Sequence, residues 1–168
     1  GYERVVLFKD GVVVAAANVQ LHRDRLTMEV PIFAAAKSSR RQGYGSVLTG
    51  LLVGLGRRLG MRTLVVSATD ESRAFWVKQG LHTGSFCAPA ERTAMRALNA
   101  LGLVRAFSNS ILMAMPIAPA GAAGLEEAAG HDGGGIGVGG WHELSAALER
   151  LGSDRAEGLN YRKAPAAL

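Results

Sequence analysis

Residues 40–46, Arg-Arg-Gln-Gly-Tyr-Gly-Ser, form a basic, glycine-containing turn that is suited to binding an anion. The turn follows an apolar stretch and precedes a long amphipathic one, so we expect it to join a strand to a helix. The first backbone N–H groups of a helix have no partner within it and attract phosphate. Gly43 and Gly45 let the backbone approach a ligand closely, and Arg40 and Arg41 add positive charge. Short glycine motifs also occur in purely structural turns, and the motif alone leaves that alternative open.

The composition is that of a globular domain with a moderately basic surface. The 168 residues are 48% hydrophobic and 20% charged, and the formal net charge is +5. A phosphorylated cofactor or an acidic partner fits this charge, and so does an ordinary protein surface. The single cysteine, Cys87, excludes a disulfide within the chain and a zinc site built from clustered cysteines. No run is long enough to cross a bilayer, and no signal or transit peptide is recognisable at the start.

Three strands are predicted before the turn. Residues 4–9 and 12–21 are rich in β-branched side chains, and the Asp-Gly pair between them predicts an antiparallel hairpin. A third strand is predicted over residues 26–36. Pro31 in this strand cannot donate a ladder hydrogen bond, so the strand must be irregular, bulged or separated from a neighbour there. A ligand could insert into such a gap in the sheet.

Helical and extended segments alternate after the turn. We predict a helix over 45–59, a strand over 63–69, a helix over 71–79, an extended segment over 81–86, a helix over 89–101 and a strand over 110–117. The apolar strand over 63–69 should be buried on both faces and should run parallel to the strand before the turn. The spacing of Gly50 and Gly54 predicts close approach of the first helix to the sheet. The expected fold class is α/β (α+β), with a mixed, mostly antiparallel central sheet flanked by helices.

The composition changes after residue 117. Residues 118–140 are dominated by alanine and glycine and are predicted to be a flexible linker. His131 and Asp132 lie within it without further ligands nearby, so no metal site is predicted. Residues 141–151 have the apolar spacing of a short helix that could dock on the domain or bind a partner, and residues 160–168 are predicted to be frayed. The predicted division is a domain over 1–117, the linker, and a helix with a tail over 141–168.

This order of elements resembles the GNAT superfamily of acetyl-coenzyme A-dependent N-acetyltransferases over residues 3–117. The turn matches the superfamily's Gln/Arg-x-x-Gly-x-Gly/Ala pyrophosphate loop. Within the superfamily the chain is most similar to the acetyltransferase domain of plant PHD-finger proteins connected with histone acetylation and active DNA demethylation. Residues 25–31, the turn, Trp76 and residues 111–113 carry this similarity. The zinc-binding fingers of those proteins, and the superfamily's helices before the first hairpin, are missing from this sequence.

The resemblance implies direct transfer of an acetyl group from acetyl-coenzyme A to a lysine on a protein tail such as a histone tail. Glu29 lies fourteen residues before Gly43, the spacing at which the histone-acetylating branch carries its general base. Its apolar neighbours would suit that role, although a surface charge on one face of a strand is the alternative. The Phe33 N–H would polarise the thioester carbonyl. The cofactor-binding residues implied are Phe33, Ala34, Ala35, Arg40, Arg41, Gln42, Gly43, Tyr44, Gly45, Ser46 and Trp76.

One position departs from the superfamily pattern. Trp76 occupies the place where many members carry a tyrosine that protonates the departing thiolate, and tryptophan has no acidic hydroxyl. Either Tyr44 or a water substitutes, or the thiolate leaves without a dedicated acid, or turnover is poor. The alternatives to a protein acetyltransferase are therefore a non-catalytic acetyl-coenzyme A-binding or interaction module of a larger chromatin regulator, and a small-amine acetyltransferase. The resemblance implies a nuclear location, otherwise a cytoplasmic one, with no membrane contact and no direct nucleic-acid readout; the oligomeric state stays open.

Overall fold

The computed structural model of the chain describes residues 2–103, 109–119 and 159–164. Its elements surround one central sheet. The strands are β1 (Glu3–Lys9), β2 (Val12–His22), β3 (Thr27–Ala35), β4 (Thr63–Thr69), β5 (His82–Thr83), β6 (Ser110–Pro116) and β7 (Leu159–Ala164), and the helices are α1 (Tyr44–Arg58), α2 (Asp70–Lys78) and α3 (Pro89–Ala100). Extended structure predicted over 81–86 is limited to the two residues of β5.

The sheet contains seven strands in the order β5-β6-β4-β3-β2-β1-β7. β3 and β4 run parallel, whereas the other described strand pairs are antiparallel. At the predicted hairpin, Asp10 and Gly11 have φ angles of 49° and 79°, and positive φ at both central residues suits a tight turn between right-twisted strands. The predicted mixed, mostly antiparallel sheet with flanking helices is confirmed.

The end of the chain contributes an edge strand. β7 pairs antiparallel with β1, from Arg4 opposite Ala164 to Lys9 opposite Leu159. The prediction that the chain is frayed from residue 160 is therefore wrong for residues 160–164. Backbone groups on the outer side of β1 would otherwise lack a strand partner, and β7 supplies it. The linker predicted over 118–140, beyond its first two residues, and the helix predicted over 141–151 lie outside the described residues, so the domain division stays a prediction.

Helices cover both faces of the sheet. Leu48 and Leu52 of α1 are fully buried and belong to the same apolar cluster as Met28 of β3. On the opposite face, Leu98 of α3 packs in a second cluster with Val65 of β4. β4 is consequently buried on both sides, as its apolar sequence predicts.

The closest contact between α1 and the sheet lies at Gly56. A Cβ atom there would lie 2.7 Å from Ile117 Cδ1 and 3.4 Å from Met28 Cε. No atom would lie within 4 Å of a Cβ at Gly54, so the prediction of close approach at that glycine is wrong. Helical phase explains the difference, because Gly56 follows the fully buried Leu52 by one turn and Gly54 does not.

β3 and β4 pair over only part of their length. Their parallel ladder runs from Thr27 to Val30 on β3, after which β3 continues beside β2 to Ala35 and β4 continues beside β6 to Thr69. The register of β3 against β2 also shifts between Asn18 and Gln20, opposite Pro31. The predicted irregularity at Pro31 is confirmed, since this strand is both bulged and separated from a neighbour. We call the opening between residues 31–35 and 67–69 the strand gap.

Candidate active site

The glycine turn leads from β3 into the first turn of α1. Gly43 is the residue before the helix, with φ 91°, and no side chain caps the helix there. Arg40 and Arg41 are exposed, and Arg41 also has a left-handed φ of 60°. The Gln42 side chain closes the turn internally, since its Nε2 donates a hydrogen bond to the Ser38 carbonyl at 2.9 Å. The arrangement presents backbone N–H groups and two cations at one end of the strand gap.

The residues at the start of α1 differ in accessibility. Tyr44 is buried among core residues and only 4% exposed, so its ring is part of the packing beneath the turn. Gly45 is half-buried, and a Cβ on it would approach Phe75 Cε2 to 3.1 Å. Ser46 accepts a hydrogen bond at 3.0 Å from Gln79 Nε2 at the end of α2. This contact ties the first turn of α1 to α2.

One edge of residues 31–35 faces the strand gap. In an antiparallel ladder alternate residues direct their N–H and C=O groups to opposite sides, so β2 occupies one side of β3 and the gap receives the other. Ala34 is exposed, and Phe33 and Ala35 are half-buried. An extended ligand could therefore lie along this edge as a strand would.

Three aromatic rings pack together between the gap and the helices. The centroid of Phe33 lies 5.7 Å from that of Phe75 and 4.9 Å from that of Trp76, and Phe75 and Trp76 are also 4.9 Å apart. Trp76 is only 3% exposed, whereas Phe75 is half-buried and lies against Gly45. Trp76 is thus mainly a packing residue, and Phe75 is the aromatic side chain of α2 that lies beside the glycine turn.

Glu29 lies in the centre of the sheet, one residue before the β3–β4 ladder ends. Its side chain has no exposed surface, and one carboxylate oxygen, Oε2, is 3.0 Å from His22 Nε2. An ionised carboxylate at a buried position requires such polar partners. The alternative of a surface charge is wrong, and the base candidate sits at the closed end of the strand gap.

Two side chains of this region escaped sequence reasoning. His22 lies just beyond the strand predicted over 12–21, and its antiparallel pairing opposite Thr27 places it diagonally next to Glu29. Antiparallel pairing of the strands predicted over 12–21 and 26–36 could have found it. Phe75 lies in the helix predicted over 71–79. No sequence signal separated it from Trp76, because the rotation of α2 against α1 decides which ring meets Gly45.

The family of the chain follows from its sequence match. Residues 1–103 match the family described as Increased DNA methylation 1, C-terminal domain. The chain belongs to this family. The match includes the strand gap, the glycine turn and the His22–Glu29 pair. A search of the curated proteins gave no match.

Solved structures show the fold shared by this family member and GNAT acetyltransferases. Tetrahymena GCN5 is similar with a TM-score of 0.59 and 19% identity, over 70% of this chain and 69% of that chain. The ribosomal-protein-S18-alanine N-acetyltransferase from Escherichia coli is similar with a TM-score of 0.50 and 20% identity, over 72% of each chain. A GNAT-family protein from Desulfovibrio desulfuricans has a TM-score of 0.52 and 18% identity, over 70% of each chain. The chain therefore has the GNAT acetyltransferase fold.

Two further observations on the described residues concern metal binding and membrane spans. Histidine, cysteine, aspartate and glutamate side chains form no group of three or more there that could hold a metal ion. No helix in the same part of the chain is long and apolar enough to span a membrane.

Proposed function

We propose that the chain is an acetyl-coenzyme A-dependent N-acetyltransferase that modifies lysine on a protein tail, such as a histone tail, in a nuclear regulator. The observation that carries this proposal is the strand gap, which has the glycine turn beyond its open end and the buried Glu29 carboxylate at its closed end. The GNAT fold and the family membership support it. A cofactor with an anionic end and an extended, amide-containing arm fits this arrangement.

The residues present suit each part of acetyl-coenzyme A. Backbone N–H groups of residues 42–46 would hold the pyrophosphate, with Arg40 and Arg41 as charged support. The edge of Phe33, Ala34 and Ala35 would pair with the pantetheine arm, and the Phe33 N–H would polarise the thioester carbonyl. Acetyl-coenzyme A, when bound, supplies the acetyl group as a reactive thioester.

Glu29 acts in this proposal as the general base. A lysine ammonium must lose a proton before its nitrogen can form a bond to an acetyl carbon. Glu29 accepts that proton from the amine or from a water molecule that has entered the gap, since its carboxylate has no surface of its own in contact with solvent. Tyr44 has its ring in the core and Trp76 has no hydroxyl, so neither is suited to act as an acid, and the departing thiolate would take its proton from solvent.

The test is acetyl transfer from acetyl-coenzyme A to histone tail peptides by the full chain and its Glu29→Gln variant. Glutamine keeps an oxygen that can accept the hydrogen bond from His22 but is not a base, so we expect kcat to fall by about 100-fold or more. Coenzyme A binding, measured by calorimetry, should persist. The matched control is Glu91→Gln, since Glu91 is also buried but lies on α3. This variant should have the activity of the native chain. Full activity of Glu29→Gln would show that Glu29 is not the base.

A second candidate function is a non-catalytic module that binds acetyl-coenzyme A within a larger chromatin regulator. The absence of a hydroxyl on both Phe75 and Trp76 favours it, because the aromatic side chains of α2 beside the gap cannot protonate a thiolate. Calorimetry together with a screen of histone tails, polyamines and aminoacyl compounds separates the two functions. Tight binding without turnover on any amine would favour the module.

A further inference from the structure

The closed end of the strand gap contains a buried histidine–glutamate pair. Glu29 has no exposed surface and His22 is 6% exposed. The 3.0 Å separation of His22 Nε2 and Glu29 Oε2 is that of a hydrogen bond. A carboxylate oxygen can only accept a hydrogen bond, so His22 Nε2 carries the hydrogen and is the donor.

The pairing of β2 and β3 brings the two side chains together. His22 is opposite Thr27, and Gln20 is opposite Glu29, so His22 and Glu29 are diagonal neighbours across the two strands. Diagonal residues share a face of the sheet and are within reach of long or aromatic side chains. The contact is thus a product of the strand register before the bulge at Pro31.

The charged turn that follows His22 contains an ion pair and lies partly in solvent. Arg25 Nε lies 3.4 Å from Asp24 Oδ2, and Arg23 and Asp24 are exposed. His22 contacts the Glu29 carboxylate through its Nε2 atom.

We propose that His22 is a positioning residue for the Glu29 base. This inference rests on the proposed function and assigns a role to a side chain outside the cofactor site. A general base must be ionised and must direct a lone pair at its proton donor. The buried His22 Nε2–H donates to Glu29 Oε2 at 3.0 Å and so holds the carboxylate in one orientation.

The first experiment compares His22→Phe with His22→Gln in acetyl transfer to a histone tail peptide. Phenylalanine keeps a ring but removes the donor, whereas glutamine keeps an N–H donor. We expect His22→Phe to lower kcat by at least about tenfold with KM for acetyl-coenzyme A within about twofold, and His22→Gln to recover most of kcat. The matched controls are His82→Phe and His82→Gln at an exposed histidine, which should behave as the native chain does. Native kcat in His22→Phe, or an equal loss in a folded His22→Gln, would overturn the inference.

A double-mutant cycle separates positioning from general destabilisation. Once Glu29→Gln has removed the base, His22→Phe should lower kcat no further, because the two residues act as a unit. If the two substitutions lowered kcat independently, so that their fold-decreases multiplied, His22 would contribute only to stability. If His22→Phe does not fold, the inference is tested by the nitrogen NMR comparison of the native chain with Glu29→Gln.

A measurement without turnover completes the test. Nitrogen NMR of the His22 ring should show Nε2 protonated in the native chain, with a shift of its signal in Glu29→Gln. An unprotonated Nε2, or a signal indifferent to Glu29→Gln, would overturn the inference. Failure of the native chain to acetylate any amine would remove the proposed function and this role with it. An active native chain with an equally active His22→Phe would remove the role alone.

Discussion

Replacement of Gly43 by alanine tests whether the glycine turn binds coenzyme A, and the same replacement at Gly60 separates that effect from a loss of stability. Gly43 precedes α1 with φ 91°, and Gly60 follows the helix with φ 73°. Both angles are in the left-handed region, where an alanine side chain is strained by about 1–2 kcal/mol. Gly60 also has open space around it, since a Cβ there meets no atom within 4 Å. Gly60→Ala is therefore a matched control with comparable strain at the other end of the same helix.

The expected losses of stability are similar in the two variants. A strain of about 1–2 kcal/mol lowers the free energy of unfolding by that amount, and a chain of this size loses about 2–4 °C in Tm per kcal/mol. Urea unfolding and thermal unfolding measure both quantities.

The expected effects on cofactor binding differ. Relief of the strain in Gly43→Ala rotates the peptide groups that lead into α1 and moves the N–H groups proposed to hold the pyrophosphate. We expect at least about tenfold weaker coenzyme A binding by calorimetry, which is about 1.4 kcal/mol, and unchanged binding in Gly60→Ala. Equal dissociation constants in the two variants, or weaker binding in Gly60→Ala than in Gly43→Ala, would refute the assignment of the turn as the anion site.

Three further predictions concern stability and charge. His22→Leu should lower the free energy of unfolding by about 1–3 kcal/mol because it removes a hydrogen-bond donor to the buried Glu29 carboxylate, and urea unfolding should show much of the loss restored in the double variant with Glu29→Leu. Arg41→Gly should remove left-handed strain and raise the unfolding free energy by about 1 kcal/mol, yet calorimetry should show weaker coenzyme A binding with a smaller dependence on salt; a gain in affinity would contradict the assigned charge. Burial raises the pKa of the Cys87 thiol above its usual value, and Glu91 adds to the rise. The contribution of this thiol to the free energy of unfolding is therefore complete below pH 9 and should fall as the pH rises above 9. Unfolding of the native chain and Cys87→Ala at pH 7 and pH 10 checks this, and a difference in free energy that widens at pH 10 would contradict it.

Local sequence patterns accounted for most of the elements. The Asp-Gly pair predicted the first hairpin because positive φ at two successive residues suits few other pairs. Pro31 predicted the irregularity of β3 because it lacks an N–H group. The glycine turn and the helix after it were recognisable because turn residues and helical spacing are properties of neighbouring residues.

Tertiary structure decided the features that depend on contacts distant in sequence. The pairing of β7 with β1 joins the two ends of the described chain, and no short-range pattern in residues 159–164 specifies it. The contact of Gly45 with Phe75 rather than Trp76 depends on how α2 rotates against α1. The burial of Glu29 and its bond to His22 depend on strand register and on what covers the sheet. The sequence by itself thus determined where the chain turns and which residues could bind an anion, whereas packing decided which side chains meet, because burial and contact are set by all the elements together.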